Sequence, residues 1–239
     1  MRYRAVLFDA GGTLLFLDHA RIAERLSTVC GARLTPAMLD QAAPAAALAL
    51  DQAAGTDGER AARYLEVLCL SAGLPAARWV AARRELHAMH RERHLWSGGE
   101  PRNAAALERL RERGIRLGVV SNSDGRVEDA LRAAGLADYF DVIVDSSVAG
   151  VEKPDPRIFA AALEPLGVAP ADALYVGDVY EVDVVGAHAA GLAAALVGPN
   201  AGTVADVPSA PTVADLIGAL LEGTSAASAA AGHPIRNPE

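Results

Sequence analysis

Four stretches of the chain place polar or charged residues directly after an apolar run. Asp9 follows residues 3–8 (YRAVLF), and Ser121-Asn122 follow residues 115–120 (IRLGVV). Lys153 lies in the loop after residues 142–144, and Gly177-Asp178, with Asp183 five residues beyond, follow residues 173–176 (ALYV). Lys153 is the single lysine. Lys and Arg total 22, so the other 22 − 1 = 21 are arginines. A lysine kept in such a composition points to a need for a compact ammonium rather than a planar guanidinium. Two carboxylates on neighbouring strands, about 4.8 Å apart, can share one divalent cation. A hydroxyl and an ammonium beside them suit the remaining oxygens of a phosphoryl group.

The elements that must position these residues are legible in the pattern. The four runs, and a fifth at residues 193–197, are short, apolar and rich in β-branched side chains, as buried strands are. Between them lie helical patterns such as residues 103–113 and 156–166. Strands alternating with helices of that length predict a doubly wound (Rossmann-like) parallel α/β sheet with helices on both faces. Ligands of such sheets bind beyond the carboxyl ends of the strands, where these polar residues fall. Residues 18–96 break the rhythm: no strand is evident, Ala, Leu, Arg and Glu dominate, and Thr35-Pro36 and Leu74-Pro75 read as helix starts. The predicted organisation is an α/β core domain of residues 1–16 and 98–222 interrupted by an all-helical insert of residues 17–97. The cluster at residues 97–101 (SGGEP) reads as a linker, and residues 223–239, small and polar, as a disordered tail.

Composition narrows the function classes. The 239 residues are 51% hydrophobic and 5% aromatic, with a net charge of −8, a pI near 5.3 and a mean hydropathy of +0.18. That balance excludes a disordered polymer and argues against nucleic acid or an anionic membrane as partner. Cys30 and Cys69 lie far apart with no metal-ligand spacing around them. The uncharged residues 184–205 include one Asp-free stretch interrupted by Gly, His, Pro and Asn, which reads as a buried helix and strand rather than a membrane span. The apolar run at residues 3–8 is shorter than a secretory signal requires, so a cytoplasmic location is expected.

The segments FDAGGTL (8–14), VVSNS (119–123), VEKPDPRIF (151–159) and GDVYEVDVVGAHAAG (177–191) resemble, in order and spacing, the four motifs of the haloacid dehalogenase superfamily. The helical insert is similar to that superfamily's smaller cap domain. The resemblance implies a Mg²⁺-dependent hydrolase of a small phosphorylated substrate, with Asp9 as the nucleophile that forms an aspartyl-phosphate. It implies Mg²⁺ held by Asp9, the carbonyl of Gly11 and Asp178, with Asp183 supporting the coordination shell. Ser121 and the amide of Asn122 would bind phosphoryl oxygens, Lys153 would offset charge, and Gly12 and Gly177 would allow close backbone approach.

One departure bears on activity. Phosphatases of the superfamily usually carry a second Asp two positions after the nucleophile, and here that position is Gly11. General acid–base catalysis is commonly worth about 10²–10⁴-fold, so acyl or aryl phosphates, with good leaving groups, are the expected substrates. Two alternatives compete: a catalytically weak phosphate-binding or interaction protein, and a 2-haloacid dehalogenase, a class that lacks the second Asp but typically also lacks the acids retained here as Asp178 and Asp183. A phosphonate-cleaving relative would need a cap lysine, which is absent. Asp18-His19 reads as a helix cap with a solvent-facing histidine. His87, His90 and His94 share one helix face, read as a solvated polar surface beside an apolar stripe. Exposed faces of the insert leave a homodimer open.

Overall fold

The computed structural model describes residues 2–53 and 55–223. The chain begins with β1 (Ala5–Phe8) and β2 (Leu15–Leu17), then enters four helices: α1 (His19–Cys30), α2 (Pro36–Asp51), α3 (Asp57–Ser71) and α4 (Trp79–Glu92). It returns through β3 (Trp96–Gly99), α5 (Pro101–Arg111), β4 (Arg116–Ser121), α6 (Val127–Ala133), β5 (Val142–Asp145), α7 (Ser146–Ala149) and α8 (Pro156–Leu166). The last elements are β6 (Ala173–Gly177), α9 (Val185–Ala189), β7 (Ala193–Val197), β8 (Ser209–Ala210) and α10 (Val213–Glu222).

Six parallel strands form one sheet in the order β5-β4-β1-β6-β7-β8. β1 is central and its side chains alternate. Val6 and Phe8 enter a core shared with Leu107 of α5, Leu131 of α6 and Leu216 of α10. Ala5 and Leu7 enter the opposite core with Phe159 of α8 and Ala187 of α9. Burial on both faces is why β1 reads as a continuous apolar run rather than an alternating one. From β1 the chain builds outward through β4 and β5 on one side and β6 to β8 on the other, so the strand order reverses between β1 and β6.

The four-helix insert has its own core, with Ile22, Leu26, Leu39, Leu68, Leu86 and Met89 at its centre and the unpaired thiols Cys30 and Cys69 buried in it. Its helix starts carry local signals. Thr35 caps α2 with Pro36 in the first turn, and Thr56 and Glu59 form a capping box on α3. The insert joins the core through an antiparallel ribbon, β2 against β3. The predicted 97–101 linker is therefore mostly strand: Gly98 pairs with Phe16, and a Cβ there would stand 3.3 Å from the Phe16 carbonyl oxygen. The ribbon straddles both predicted boundaries of the insert. Two further contacts tie insert to core: the Tyr180 amide donates to Asp51 Oδ1 at 2.8 Å, and Arg126 donates to the His90 carbonyl at 2.9 Å.

The short edge strand β8 was not legible in the sequence, and the fourth motif opens with a π-helical turn, Tyr180–Val184, before α9. Gly223 is the left-handed cap of α10; the rest of the predicted tail lies outside the described residues. Among the described residues no helix is long and apolar enough to cross a membrane.

Candidate active site

The polar residues at the strand ends converge at the β1/β6 reversal. Phe8 and Val176 are register partners, so Asp9 and Asp178 leave adjacent strands side by side. The carboxylates of Asp9, Asp178 and Asp183 each offer an oxygen within 4.8 Å of the others, and all three residues are buried. Lys153 enters from the loop after α7. Its Nζ donates to Asp9 Oδ1 at 2.5 Å, to Asp183 Oδ1 at 2.8 Å and to Tyr175 Oη at 2.8 Å, and the residue is only 4% exposed. The Tyr175 hydroxyl in turn donates to the Val120 carbonyl at 2.9 Å.

Asp183 has little left to offer a ligand. Its Oδ2 accepts from the Asp178 and Val179 amides at 3.1 and 2.9 Å while Oδ1 holds Lys153. It braces the fourth-motif loop and the lysine, and with Asp9 and Asp178 it lines the cavity. Ser121, buried at the end of β4, lines that cavity. Asn122 exchanges two hydrogen bonds with the Lys153 backbone, at 2.8 and 3.1 Å, and so fixes the loop that carries the lysine.

Two glycines are dictated by this packing. Gly12 has φ +83, and a Cβ there would lie 2.3 Å from Asp178 Oδ2; a Cβ on Gly177 would lie 2.3 Å from Asp183 Cγ. Gly11 differs: its φ is ordinary, and a Cβ would meet Trp96 Cδ1 and Nε1 at 3.4 and 3.5 Å.

Three carboxylates and one ammonium leave a formal charge of −2 among buried residues. Burial, opposed by Lys153, pushes the Asp9 carboxyl up to about 7. Burial and the neighbouring Asp9 and Asp183 carboxylates hold Asp178 well above the usual range. Burial would lower the Lys153 ammonium, but Asp183 and Asp9 outweigh it and hold it well above its ordinary value. A site in which carboxylates resist ionisation for lack of positive charge, built from hard oxygen donors, fits a divalent cation such as Mg²⁺.

Above this floor a cavity of about 530 Å³ opens between core and insert. Its wall corrects two expectations. Asp18 does cap α1, accepting from the Arg21 amide at 3.0 Å, but His19 does not face solvent: it lines the cavity and bonds Asp40 Oδ1 through Nδ1 at 2.6 Å. His87 is exposed, as expected, yet His90 and His94 line the cavity as well. Ala82, Leu86 and Met89 take the insert's core face of α4, which turns His90 toward the cleft. The Leu95 amide donates to His90 Nδ1 at 3.3 Å, so Nε2 carries the proton and donates to Asp124 Oδ2 at 3.1 Å. His94 Nδ1 donates to the Trp96 carbonyl at 3.1 Å, which leaves its Nε2 with a free lone pair. Burial holds both imidazoles below their ordinary pKa. His90, His94 and Asp124 are close enough to hold a metal ion, but Arg126 donates to the same Asp124 Oδ2 at 2.5 Å. That cation and the His90 tautomer make the cluster a hydrogen-bonded wall.

Tyr175 and Tyr64 were not singled out in the sequence. A lone Tyr inside the buried run ALYV is a signal, since a buried hydroxyl needs a partner. Tyr64, on α3, lines the cavity; burial, with the Asp178 charge adding to it, pushes its hydroxyl up to about 12, so it stays a neutral donor.

This geometry agrees with what the chain resembles. A family model described as haloacid dehalogenase-like hydrolase matches residues 3–191. The chain is 31% identical over 229 residues to a phosphatase of Mycobacterium tuberculosis, a match covering 93% of this chain and 99% of that protein. It is 44% identical over 131 residues to the haloacid dehalogenase-like hydrolase domain-containing protein 3 of Bos taurus, covering 51% of this chain and about half, 52%, of that relative's length. A solved HAD phosphatase from Thermococcus onnurineus superposes with a TM-score of 0.55 at 26% identity, covering 93% of this chain and 99% of that one. With a family model matched from the first strand through the fourth motif and a phosphatase aligned over nearly its whole length, the chain belongs to the haloacid dehalogenase-like hydrolases.

Proposed function

We propose that the chain is a Mg²⁺-dependent phosphoric monoester hydrolase that works through an aspartyl-phosphate on Asp9, with the helical insert acting as a cap over the site. The carrying observation is Lys153 Nζ, 2.5 Å from Asp9 Oδ1 inside a three-carboxylate cluster. The ammonium favours the anionic form of Asp9 against its burial and is placed to offset phosphoryl charge. Asp9, the carbonyl of Gly11 and Asp178 would hold Mg²⁺, which when bound supplies the positive charge that two more anionic oxygens require.

Asp9 attacks phosphorus, the bond from phosphorus to the leaving oxygen breaks, and Ser121 Oγ, the Asn122 amide and Lys153 Nζ hold the remaining phosphoryl oxygens. Water then attacks phosphorus and the bond to Asp9 breaks. With no side chain at Gly11, the water proton passes to an imidazole of the cleft wall, and His94 Nε2, unprotonated and oriented through the Trp96 carbonyl, suits that task. The retained pair Asp178 and Asp183 speaks for phosphoryl transfer over dehalogenation, a reaction that has no use for a cation site.

Turnover of 4-nitrophenyl phosphate with Mg²⁺ and with EDTA tests the reading. The expected result is Mg²⁺-dependent release of nitrophenol that Asp9→Asn abolishes. Phosphate binding without turnover of any aryl or acyl phosphate would establish the binding protein instead, and halide release from a 2-haloacid would establish the dehalogenase.

A further inference from the structure

The cavity above Asp9 has one broad apolar side. α2 is apolar on two sides: Leu39, Ala42 and Ala46 face the insert's core, while Ala43, Ala47 and Leu50, spaced i, i+4 and i+7, line the cavity. A surface helix needs one apolar stripe; the second lines the cleft. Opposite it stand Ala61 and Tyr64 of α3, with Phe16 and Leu17 of β2 and the Trp96 indole closing the sides.

The charged groups Asp57, Arg60 and Glu152 gather at one end of the cavity, where they also line a second opening with Asn122 and Lys153. Arg60, the cation lining the cavity besides Lys153 and the histidines, donates to the Leu50 carbonyl at 3.1 Å. His19 is engaged by Asp40 and His90 by Asp124, while His94 bonds the Trp96 carbonyl through Nδ1 and keeps Nε2 open. A substrate bearing a carboxylate or an ammonium on its far end would lose hydration against Ala43, Ala47 and Trp96, among which no charged side chain stands. The alanines, by contrast, leave room beneath the packed pair α2 and α3 for a flat ring beside two aromatic side chains.

We infer that the substrate's leaving group is an aromatic or similarly apolar alcohol seated between α2, α3 and Trp96, so that the enzyme is an aryl-phosphate hydrolase. This rests on the phosphatase reading and adds the substrate class to it. It also gives Gly11 a rationale, since a phenolate departs with less need of a protonating acid than an alkoxide does.

The test holds leaving-group chemistry constant while changing only apolar size. Phenyl, 4-methylphenyl, 4-ethylphenyl and 4-propylphenyl phosphates release phenols of similar acidity, and O-phosphotyrosine releases another but carries an ammonium and a carboxylate. With Mg²⁺, kcat/KM is expected to climb about fourfold per methylene until the cavity fills, and to fall at least roughly tenfold for O-phosphotyrosine relative to the 4-propyl ester. Ala61→Leu, which fills the cavity, should cut the 4-propyl ester most and flatten the series; Leu50→Gln should lower its slope through polarity if the first variant folds poorly. A flat series in the native chain, or O-phosphotyrosine turned over as well as the 4-propyl ester, overturns the inference while leaving the phosphatase reading intact. Absence of turnover for every ester, 4-nitrophenyl phosphate included, overturns the phosphatase reading and this one with it.

Discussion

Replacing Lys153 by Met removes the positive charge from a cluster that otherwise holds three carboxylates. Nζ makes three hydrogen bonds of 2.5–2.8 Å, two of them to carboxylates, in a residue 4% exposed. Removing one partner of a buried ion pair typically costs about 3–5 kcal/mol, because the other charge is left uncompensated. For a chain of this length each kcal/mol moves Tm by about 2–4 °C, so a loss of roughly 6–20 °C is expected at alkaline pH. The loss should depend on pH with a defined sign. Asp9 already titrates near 7 in the folded state, above its ordinary 3.8, so its contribution to stability is present at low pH and lost as pH rises through 7. Without Lys153 that folded value moves higher still, and the protonated carboxyl has less need of the ammonium. The gap between the native chain and Lys153→Met, kept open throughout by the lost Asp183 contact, should therefore be smaller near pH 5 and widen to its full value near pH 8. Thermal unfolding by circular dichroism, in EDTA across that range, measures it. A pH-independent gap below about 2 °C, or a variant more stable than the native chain at pH 8, would refute the electrostatic account of the site.

Other consequences are as specific. Gly12→Ala forces a side chain at φ +83 into Asp178; it should lower Tm by several degrees and weaken Mg²⁺ binding roughly 10–100-fold, read by calorimetric titration. Gly11→Asp meets only the Trp96 indole at ordinary contact distance and restores an acid beside the nucleophile. Turnover of a simple alkyl phosphate should rise about tenfold or more with little change for 4-nitrophenyl phosphate, whereas equal kinetics on both would mean that a wall imidazole already moves the proton. Because Asp9 and Asp178 must shed protons to bind a cation, Mg²⁺ should raise Tm more at pH 8 than at pH 6. Titrations in buffers of different ionisation enthalpy should report proton release on binding near pH 6, and proton uptake would contradict the site.

The floor of the site was legible because strand ends in a parallel sheet obey topology: once residues 3–8 and 173–176 are read as neighbouring strands, Asp9 and Asp178 have to meet. The lone lysine was equally visible as a chemical anomaly. The wall was harder to read, because helix periodicity identifies an apolar stripe but not which flank of it a second domain covers. His90 and His87 are alike in sequence, yet the packing of Met89 and Leu86 into the insert turns one into the cleft and leaves the other in solvent. The ribbon was missed for a related reason. Ser97-Gly98-Gly99 has the composition of a turn, and its strand character comes from a partner, β2, more than 70 residues away. A side chain at Gly98 would crowd the Phe16 carbonyl at 3.3 Å.

The single lysine also makes the protein its own gauge of opening. Lys153 is the one side-chain amine in the chain, and it sits behind Asp9 and Asp183 with 4% of its surface open. Acylating or reductively methylating reagents find no lysine to attack while the strand ends stay closed, and a lysine-directed protease meets a single bond whose access requires the loop to unfold. Isotopic methylation after controlled denaturation would install one spectroscopic label at the centre of the chemistry, obtained without engineering any residue.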